Sequence, residues 1–319
     1  MSKWYALSAY LQAGFNQSEI AKKLRVHKST ICREIQRNGY GRYRNYKPRI
    51  AQFRAAYRWR NRKLPRRFTE DVRSLAIDLL EQDFSPEQIV GYCRKQGLKM
   101  VSHETIYRWI WWDKKHHGLL HTHLRHRGRR HTKRGYSRKR RGIIPNRTDI
   151  SERPVIVEKR ERFGDFEIDT IVGASHSQHI LTIVDRATGY GKLKKLNNGT
   201  AEEAARQIID LLKDFAKMGL VKTITADNGT QFHSHQTVAK SLCAGFYFAT
   251  PYHSWERGSN ENFNGLVRQY IPKKTDFNSV SDFFLEKVEY LLNNRPRKRL
   301  GFESPLEKMY QLTGLKAVC

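Results

Sequence analysis

Three acidic residues stand where phosphodiester chemistry would need them. Asp169 lies late in the strand-like run GDFEIDTIVG. Asp227 closes a second strand-like run, VKTITAD, immediately before Asn228 and Gly229. Glu261 sits on the first turns of a helical segment that starts near Arg257. Cutting and rejoining a nucleic-acid strand are in-line displacements, in which two divalent cations roughly 3.5–4 Å apart stabilise both the attacking and the departing oxygen. Mg²⁺ takes hard oxygen ligands and keeps part of its water shell, so a few carboxylates on rigid elements suffice. Asp169, Asp227 and Glu261 are therefore the expected catalytic and metal-binding residues. Two Mg²⁺ ions are the expected cofactor, with Mn²⁺ able to substitute, and Asp169 would bridge them.

Other acids compete for these roles. Asp165 and Glu167 share the strand face of Asp169 by two-residue alternation, so either is an alternative ligand. Asp169 is preferred because the apolar residues beginning at Ile168 place it in a buried stretch, where a carboxylate needs a partner. Glu256 competes with Glu261, but it falls at the boundary between loop and helix, where an acid also suits the helix N-terminus. Asp185, in IVDRATG, reads as a strand-end residue. Arg268 lies two helical turns beyond Glu261 on the same face and is expected to hold a DNA phosphate beside the metals. Asn260, Asn262 and Asn264 add neutral hydrogen-bonding groups nearby.

The elements that would position these acids follow from periodicity. From about residue 155, strand-like and helical runs alternate: GDFEIDTIVG, HILTIVDRATGY and GKLKKL, then a helix over 200–217, the strand VKTITAD, the helix HQTVAKSLCA, and the short strand FYFATP. In the 200–217 helix Ala201, Ala204, Ala205, Ile208, Ile209, Leu212 and Phe215 trace one face. Two helices, Arg257–Tyr270 and Val280–Asn293, close the pattern. Three strands, a helix, a strand, a helix, a strand and further helices is the order of an α/β ribonuclease-H-like domain.

The first half of the chain has a different texture. Residues 4–38 predict three short helices, the second opened by a capping pair of Asn16 and Glu19, the third spanning Lys28–Arg37 with Ile31 and Ile35 inward. A tight turn followed by a helix with Lys28, Ser29, Thr30, Arg33 and Arg37 on its outer face is the geometry of a helix-turn-helix. Arg54, Arg58 and Arg62 then recur every four residues on a basic helix, with no acid beside them, and are expected to contact phosphates. A second helix-turn-helix is expected over 69–112. There Ser85 caps a helix with Pro86 at its first position, and Ser102 caps another in which His103, Glu104, Thr105 and Arg108 face outward. From Lys114 to Thr148 there are 13 Lys and Arg and no Asp or Glu. Six histidines also fall there (His116, His117, His121, His123, His126 and His131) without a ligand-like spacing. This stretch reads as an extended basic linker, with Arg129, Arg130, Arg138, Lys139, Arg140 and Arg141 as expected DNA contacts.

The resulting division is a helix-turn-helix domain over 1–45, a basic linker helix over 46–68, a second helix-turn-helix domain over 69–113, a basic linker over 114–152, and a catalytic domain over 153–319. Charge follows that division. Residues 1–150 hold 36 Lys and Arg against 11 Asp and Glu, whereas residues 151–319 hold 24 against 20. A strongly basic arm on a near-neutral body points to a polyanionic partner. Cys32, Cys93, Cys243 and Cys319 share no CxxC spacing, so neither a zinc ribbon nor a disulfide framework is indicated. No apolar run approaches the roughly 20 residues that cross a bilayer, and MSKWYALSAY lacks a secretory pattern. A cytoplasmic, nucleoid-associated protein is expected, with no membrane and no small-molecule ligand.

Three segments carry a family resemblance. FEIDTIVG, TITADNGTQF and PYHSWERGSNENFNGLVRQYIPK resemble the signature blocks of the insertion sequence thirty (IS-thirty) family of bacterial DDE transposases, and the likeness extends from the N-terminal helix-turn-helix to NNRPRKRLGFESPLE. Phe166 stands where that family usually has Trp. The resemblance implies that Asp169, Asp227 and Glu261 are the catalytic triad and that the chemistry depends on Mg²⁺. It also implies recognition of the element's terminal inverted repeats, a homodimer or higher homo-oligomer that pairs two ends, and a joined-end or circular intermediate. A catalytically idle repressor or domesticated derivative is the alternative. A nuclease that hydrolyses without joining has less use for tandem helix-turn-helix modules. A regulator with a small-molecule sensor domain would not need the paired acids. The charge of residues 1–150 predicts that duplex DNA binding weakens steeply with salt. A binding isotherm that stays flat from low to physiological ionic strength would contradict the role given to that half.

Overall fold

The computed structural model describes residues 3–39, 45–60, 67–125, 144–174, 178–251 and 253–315. The chain divides into two compact units, Met1–Arg67 and Phe68–Cys319.

In the first unit, helices α1 (Lys3–Gln12), α2 (Gln17–Leu24) and α3 (Lys28–Asn38) are followed by α4 (Pro48–Arg60). Asn16 and Glu19 form the reciprocal cap that opens α2. Arg25 turns the chain in a left-handed conformation, φ 51°, between α2 and α3. Leu7, Ile20, Ala21, Ile31 and Ile35 close a small core with Tyr46 and Ala51. This is a helix-turn-helix, and its outer face leaves Lys28, Thr30, Arg33 and Arg37 exposed and Ser29 half-buried.

The expected phosphate stripe on α4 behaves differently. Arg54 donates to the carbonyls of Asn38 and Gly39 at 3.3 Å each, and Arg58 donates to the Arg37 carbonyl at 3.4 Å and to Asn38 Oδ1 at 2.7 Å. Both guanidiniums therefore cover the C-terminal carbonyls of α3, where a helix leaves acceptors unpaired and carries partial negative charge. Residue 62 lies outside the described residues, as do 129, 130 and 138–141.

The second unit begins with three helices, α5 (Glu70–Glu81), α6 (Pro86–Lys95) and α7 (His103–Lys115). Ser85 and Gln88 form the reciprocal cap of α6, and Ser102 caps α7. Leu79, Leu80, Phe84, Ile89, Cys93, Ile106 and Ile110 build their core. His103, Glu104 and Arg108 are exposed on α7, with Thr105 half-buried against Ser102. These helices rest on the segment that follows the last long helix. Gln88 Nε2 donates to the Pro296 carbonyl at 2.6 Å, Lys298 pairs with Glu87 at 2.6 Å, and Gly91 lies so close to the Phe302 ring that a side chain there would overlap it.

After a short helix, α8 (Ile156–Lys159), come β1 (Asp165–Val172), β2 (His179–Asp185), β3 (Gly191–Leu196), α9 (Ala201–Lys217), β4 (Thr223–Ala226), α10 (His235–Leu242), β5 (Gly245–Phe248), α11 (Gly258–Tyr270), α12 (Asp282–Asn294) and α13 (Pro305–Thr313). The sheet order is β3-β2-β1-β4-β5. β1, β2 and β3 pair antiparallel, and β4 and β5 join in parallel. That is the ribonuclease-H-like order expected from the alternation of elements. One face carries Phe166, Ile168, Ile224 and Ala226 with Ala204, Ile208 and Leu212 of α9. The other carries Ile171, Ile180 and Val184 with Phe263 and Val267 of α11 and Val288 and Leu292 of α12. α13, opened by the reciprocal cap of Ser304 and Glu307, was not anticipated among the closing helices, although SPLE is a capping signature.

Asn293 ties α12 to the start of β3, accepting from the Gly191 N–H and donating to the Gly191 carbonyl, both at 2.8 Å. Asn293→Ala would leave both buried groups without these partners, at about 1–3 kcal/mol for each group left unsatisfied. Urea unfolding should show a lower midpoint with an unchanged slope; an unaltered midpoint would mean that the two groups find other partners.

Candidate active site

The register of the parallel pair β1–β4 decides where the acids fall. Glu167 is level with Thr225, and Asp227 follows Ala226, the last residue of β4, so Asp169 and Asp227 project near one another from the same face of the sheet. That face is covered by α11. Asp169 is 23% exposed and Asp227 is 22% exposed. Between them stands Arg257, immediately before α11, with one guanidinium nitrogen 3.7 Å from Asp169 Oδ2 and the other 3.9 Å from Asp227 Oδ2. The same side chain donates to the Ile168 carbonyl at 3.0 Å, which anchors it to β1.

Asp169 receives the N–H of Thr170 at 2.8 Å and the amide of Asn264 at 3.0 Å. Its carboxyl is nevertheless pushed up to about 6. Burial is the main cause and the neighbouring Asp227 charge adds to it, against the opposing pull of Arg257, Thr170 and Asn264. Two carboxylates crowded this way favour a cation between them. Asp227 Oδ1 accepts the Gly229 N–H at 2.9 Å. A Cβ at position 229 would lie 2.8 Å from that oxygen and 2.5 Å from Gln231 Oε1, so a side chain there would push the Asp227 carboxylate or the Gln231 amide aside.

Glu261 is exposed on α11, one helical turn before Asn264 on the same helix face. Asp169 and Asp227 are thus brought together, and Glu261 stands apart from them. Among the described residues no three His, Cys, Asp or Glu side chains converge as a metal-binding group. Arg268, expected to face a DNA phosphate, instead donates to the Val172 carbonyl at 2.9 Å and the Pro272 carbonyl at 3.2 Å, bracing the end of β1 against the end of α11.

The competing acids have other partners. Asp165 binds Arg162 at 2.8 Å and accepts the Thr223 hydroxyl. Asp185 accepts the Gly164 and Thr188 N–H groups and the Thr188 hydroxyl, as a strand-end residue would. Glu256 accepts the Thr250 N–H at 2.8 Å. Glu167 is fully buried; it pairs with Arg186 at 2.7 Å and accepts the Asn260 N–H at 2.8 Å. Arg186, 2% exposed, also binds Glu158 at 2.9 Å and the Glu256 carbonyl at 3.2 Å. Arg186 and Arg257 were missed in the sequence. The signals available were an arginine closing the apolar run of β2 and another opening the acid-bearing helix.

Comparison with known proteins shows the family. A homeodomain-like domain model matches residues 2–44. The chain is 49% identical over 314 residues to the transposase for insertion sequence element IS4351 of Bacteroides fragilis, covering 98% of this chain and 96% of that protein. It is 35% identical to the transposase InsI for insertion sequence element IS30A of Escherichia coli, covering 96% of this chain and 82% of that protein. The transposase for insertion sequence element IS1086 of Cupriavidus metallidurans is 31% identical, covering 92% of this chain and 88% of that protein. This chain belongs to the insertion sequence thirty family of transposases. It is accordingly a DNA-binding, DNA-processing enzyme, and no helix among the described residues is long and apolar enough to cross a membrane.

In this transposase the Glu167–Arg186 pair carries a clear energetic signature. Arg186→Ala would leave Glu167 buried without its counter-charge and should cost about 3–5 kcal/mol of stability. Calorimetric or denaturant unfolding of the variant measures that loss; wild-type stability would mean that the pair does not govern the seating of α11.

Proposed function

We propose that this transposase binds the terminal inverted repeats of its own element and carries out Mg²⁺-dependent DNA cleavage and strand transfer at Asp169, Asp227 and Glu261. The observation that supports it best is the placement of Asp169 and Asp227 on either side of one guanidinium, that of Arg257. Their oxygens form a hard, anionic donor pair suited to a divalent cation, and the raised carboxyl of Asp169 fits a site short of positive charge. Asp169, Asp227 and Glu261 would hold Mg²⁺, which supplies charge at the attacking and leaving oxygens of an in-line displacement. Asn264 and the Thr170 N–H orient Asp169, Gly229 orients Asp227, and α11 presents Glu261 on the same face as Asn264. Arg257 balances the two aspartates in the present arrangement. Because two element ends must be joined, the working species is a homodimer or higher homo-oligomer, acting on nucleoid DNA in the cytoplasm.

The test combines the full chain, Mg²⁺ and labelled duplexes carrying the element's ends. Wild type should yield cleaved and strand-joined products. Asp169→Asn, Asp227→Asn and Glu261→Gln should each abolish both products while end binding stays within about twofold. A variant that joins ends at the wild-type rate removes that residue from the site. Tight end binding by wild type with no product under any divalent metal would replace this proposal with the repressor alternative.

A further inference from the structure

On the opposite side of α11 from its acid lies a cavity of about 200 Å³, lined by Arg160, Arg297 and Arg299 together with Gly258, Ser259 and Asn262. At 100° per residue, Ser259, Asn262 and Leu266 project on one side of α11, and Arg257, Glu261, Asn264 and Arg268 on the other. Among the described residues no carboxylate lines the cavity. Ser259 Oγ is buried and has no hydrogen-bond partner among the described residues. Gly258 faces open space, since a Cβ built there meets no atom within 4 Å.

The arginines are gathered against their own repulsion. Burial, together with the charges of Arg295 and Arg299, pushes the Arg297 guanidinium down to about 9. Burial and Arg160 also lower Arg299, although Asp185 and Glu167 pull the other way. Arg297 donates to the Leu292 carbonyl at 2.8 Å and Arg299 to the Ala187 carbonyl at 2.8 Å, bonds that hold the side chains without neutralising them. A concave site with three guanidiniums, an unpaired hydroxyl and the first turn of a helix favours a compact, multiply accepting anion.

We propose that this cavity is a second phosphate-binding site, which takes a backbone phosphodiester of the bound DNA away from the one undergoing reaction. Its assignment to DNA rests on the proposed function; the anion chemistry of the cavity does not. A phosphate there would sit on one side of α11 while the reacting phosphate lies on the other, so the helix carrying Glu261 would be gripped between two points of the same substrate.

The test is phosphate-ethylation interference with the full chain on a duplex carrying its element's end, without divalent metal. Two variants are compared with wild type. Arg160→Gln/Arg299→Gln removes two charges and leaves Arg297 in place. Gly258→Leu keeps every arginine and adds bulk at a position that lines the cavity, at a backbone conformation that accepts a side chain. Urea unfolding identifies a variant that has lost its fold. In wild type at least one phosphate should interfere when ethylated, and in both folded variants that position should fall silent while the others persist. The double variant should also lower the salt slope by about one for each guanidinium engaged, on the order of two. Unchanged interference and slope in both variants, or in Gly258→Leu alone should the double variant misfold, would overturn the proposal. So would stabilisation of wild type by inorganic phosphate, lost in the variants, with DNA interference unaltered, since the cavity would then take a free anion. Asp227→Asn should give the wild-type interference pattern; if it also joined ends, the catalytic assignment would fail and this one would stand.

Discussion

Glu167 and Arg186 are almost wholly removed from water, and every polar atom of the Glu167 carboxylate is engaged. One oxygen takes the Arg186 guanidinium, the other the Asn260 N–H in the first turn of α11. Because Arg186 also reaches the Glu256 carbonyl and Glu158, four segments of the chain meet at one charge pair. Such a pair adds little net stability over an apolar core of the same shape, but half of it left alone is costly. The constraint is therefore geometric: α11 has one seat on the sheet, and the seat is two residues from Asp169 on the same strand face.

The arginines of this protein divide by what surrounds them. On α4, Arg54 and Arg58 turn back onto the carbonyl end of α3 and serve the fold. On α3, Lys28, Arg33 and Arg37 stay exposed, free to meet a polyanion. Arg257, immediately before the acid-bearing helix, and Arg268, on it, are held by backbone carbonyls of β1 and of the segment after α11. A basic composition alone does not separate these roles. The acceptors that each side chain can reach do, and spacing along a helix shows only half of them.

Much of this arrangement was legible in the sequence. The reciprocal caps at Asn16 and Ser85, the alternation of β1 and the amphipathic face of α9 are local features, and each appears where its pattern sits. The adjacency of Asp169 and Asp227 was legible only through the assumed sheet order, because a parallel pairing leaves no local mark. Glu261 had the right helix, yet its exposure and separation from the two aspartates depend on packing that periodicity does not encode. Arg186 and Arg257 escaped notice because a buried arginine is recognised by its partners, and those lie far along the chain. The docking of α6 on Pro296–Phe302 was hidden for the same reason: Gly91 reads as a helix weakness until the Phe302 ring appears beside it.

The shared facing of the two aspartates carries a consequence for how this chain tolerates change in length. Odd-numbered residues of β1 and β4 share the sheet face opposite to the one on which Ile224 and Ala226 meet the core built on α9. Loss or gain of one residue inside β4 would swing Asp227 through the sheet and press its carboxylate among Ile208, Leu212 and their neighbours. Residues added between the strands, in the turn before α9 or after it, would leave the facing of both acids untouched. What the active centre counts is parity within β1 and β4, and the turns on either side of α9 are tethers whose length it does not read.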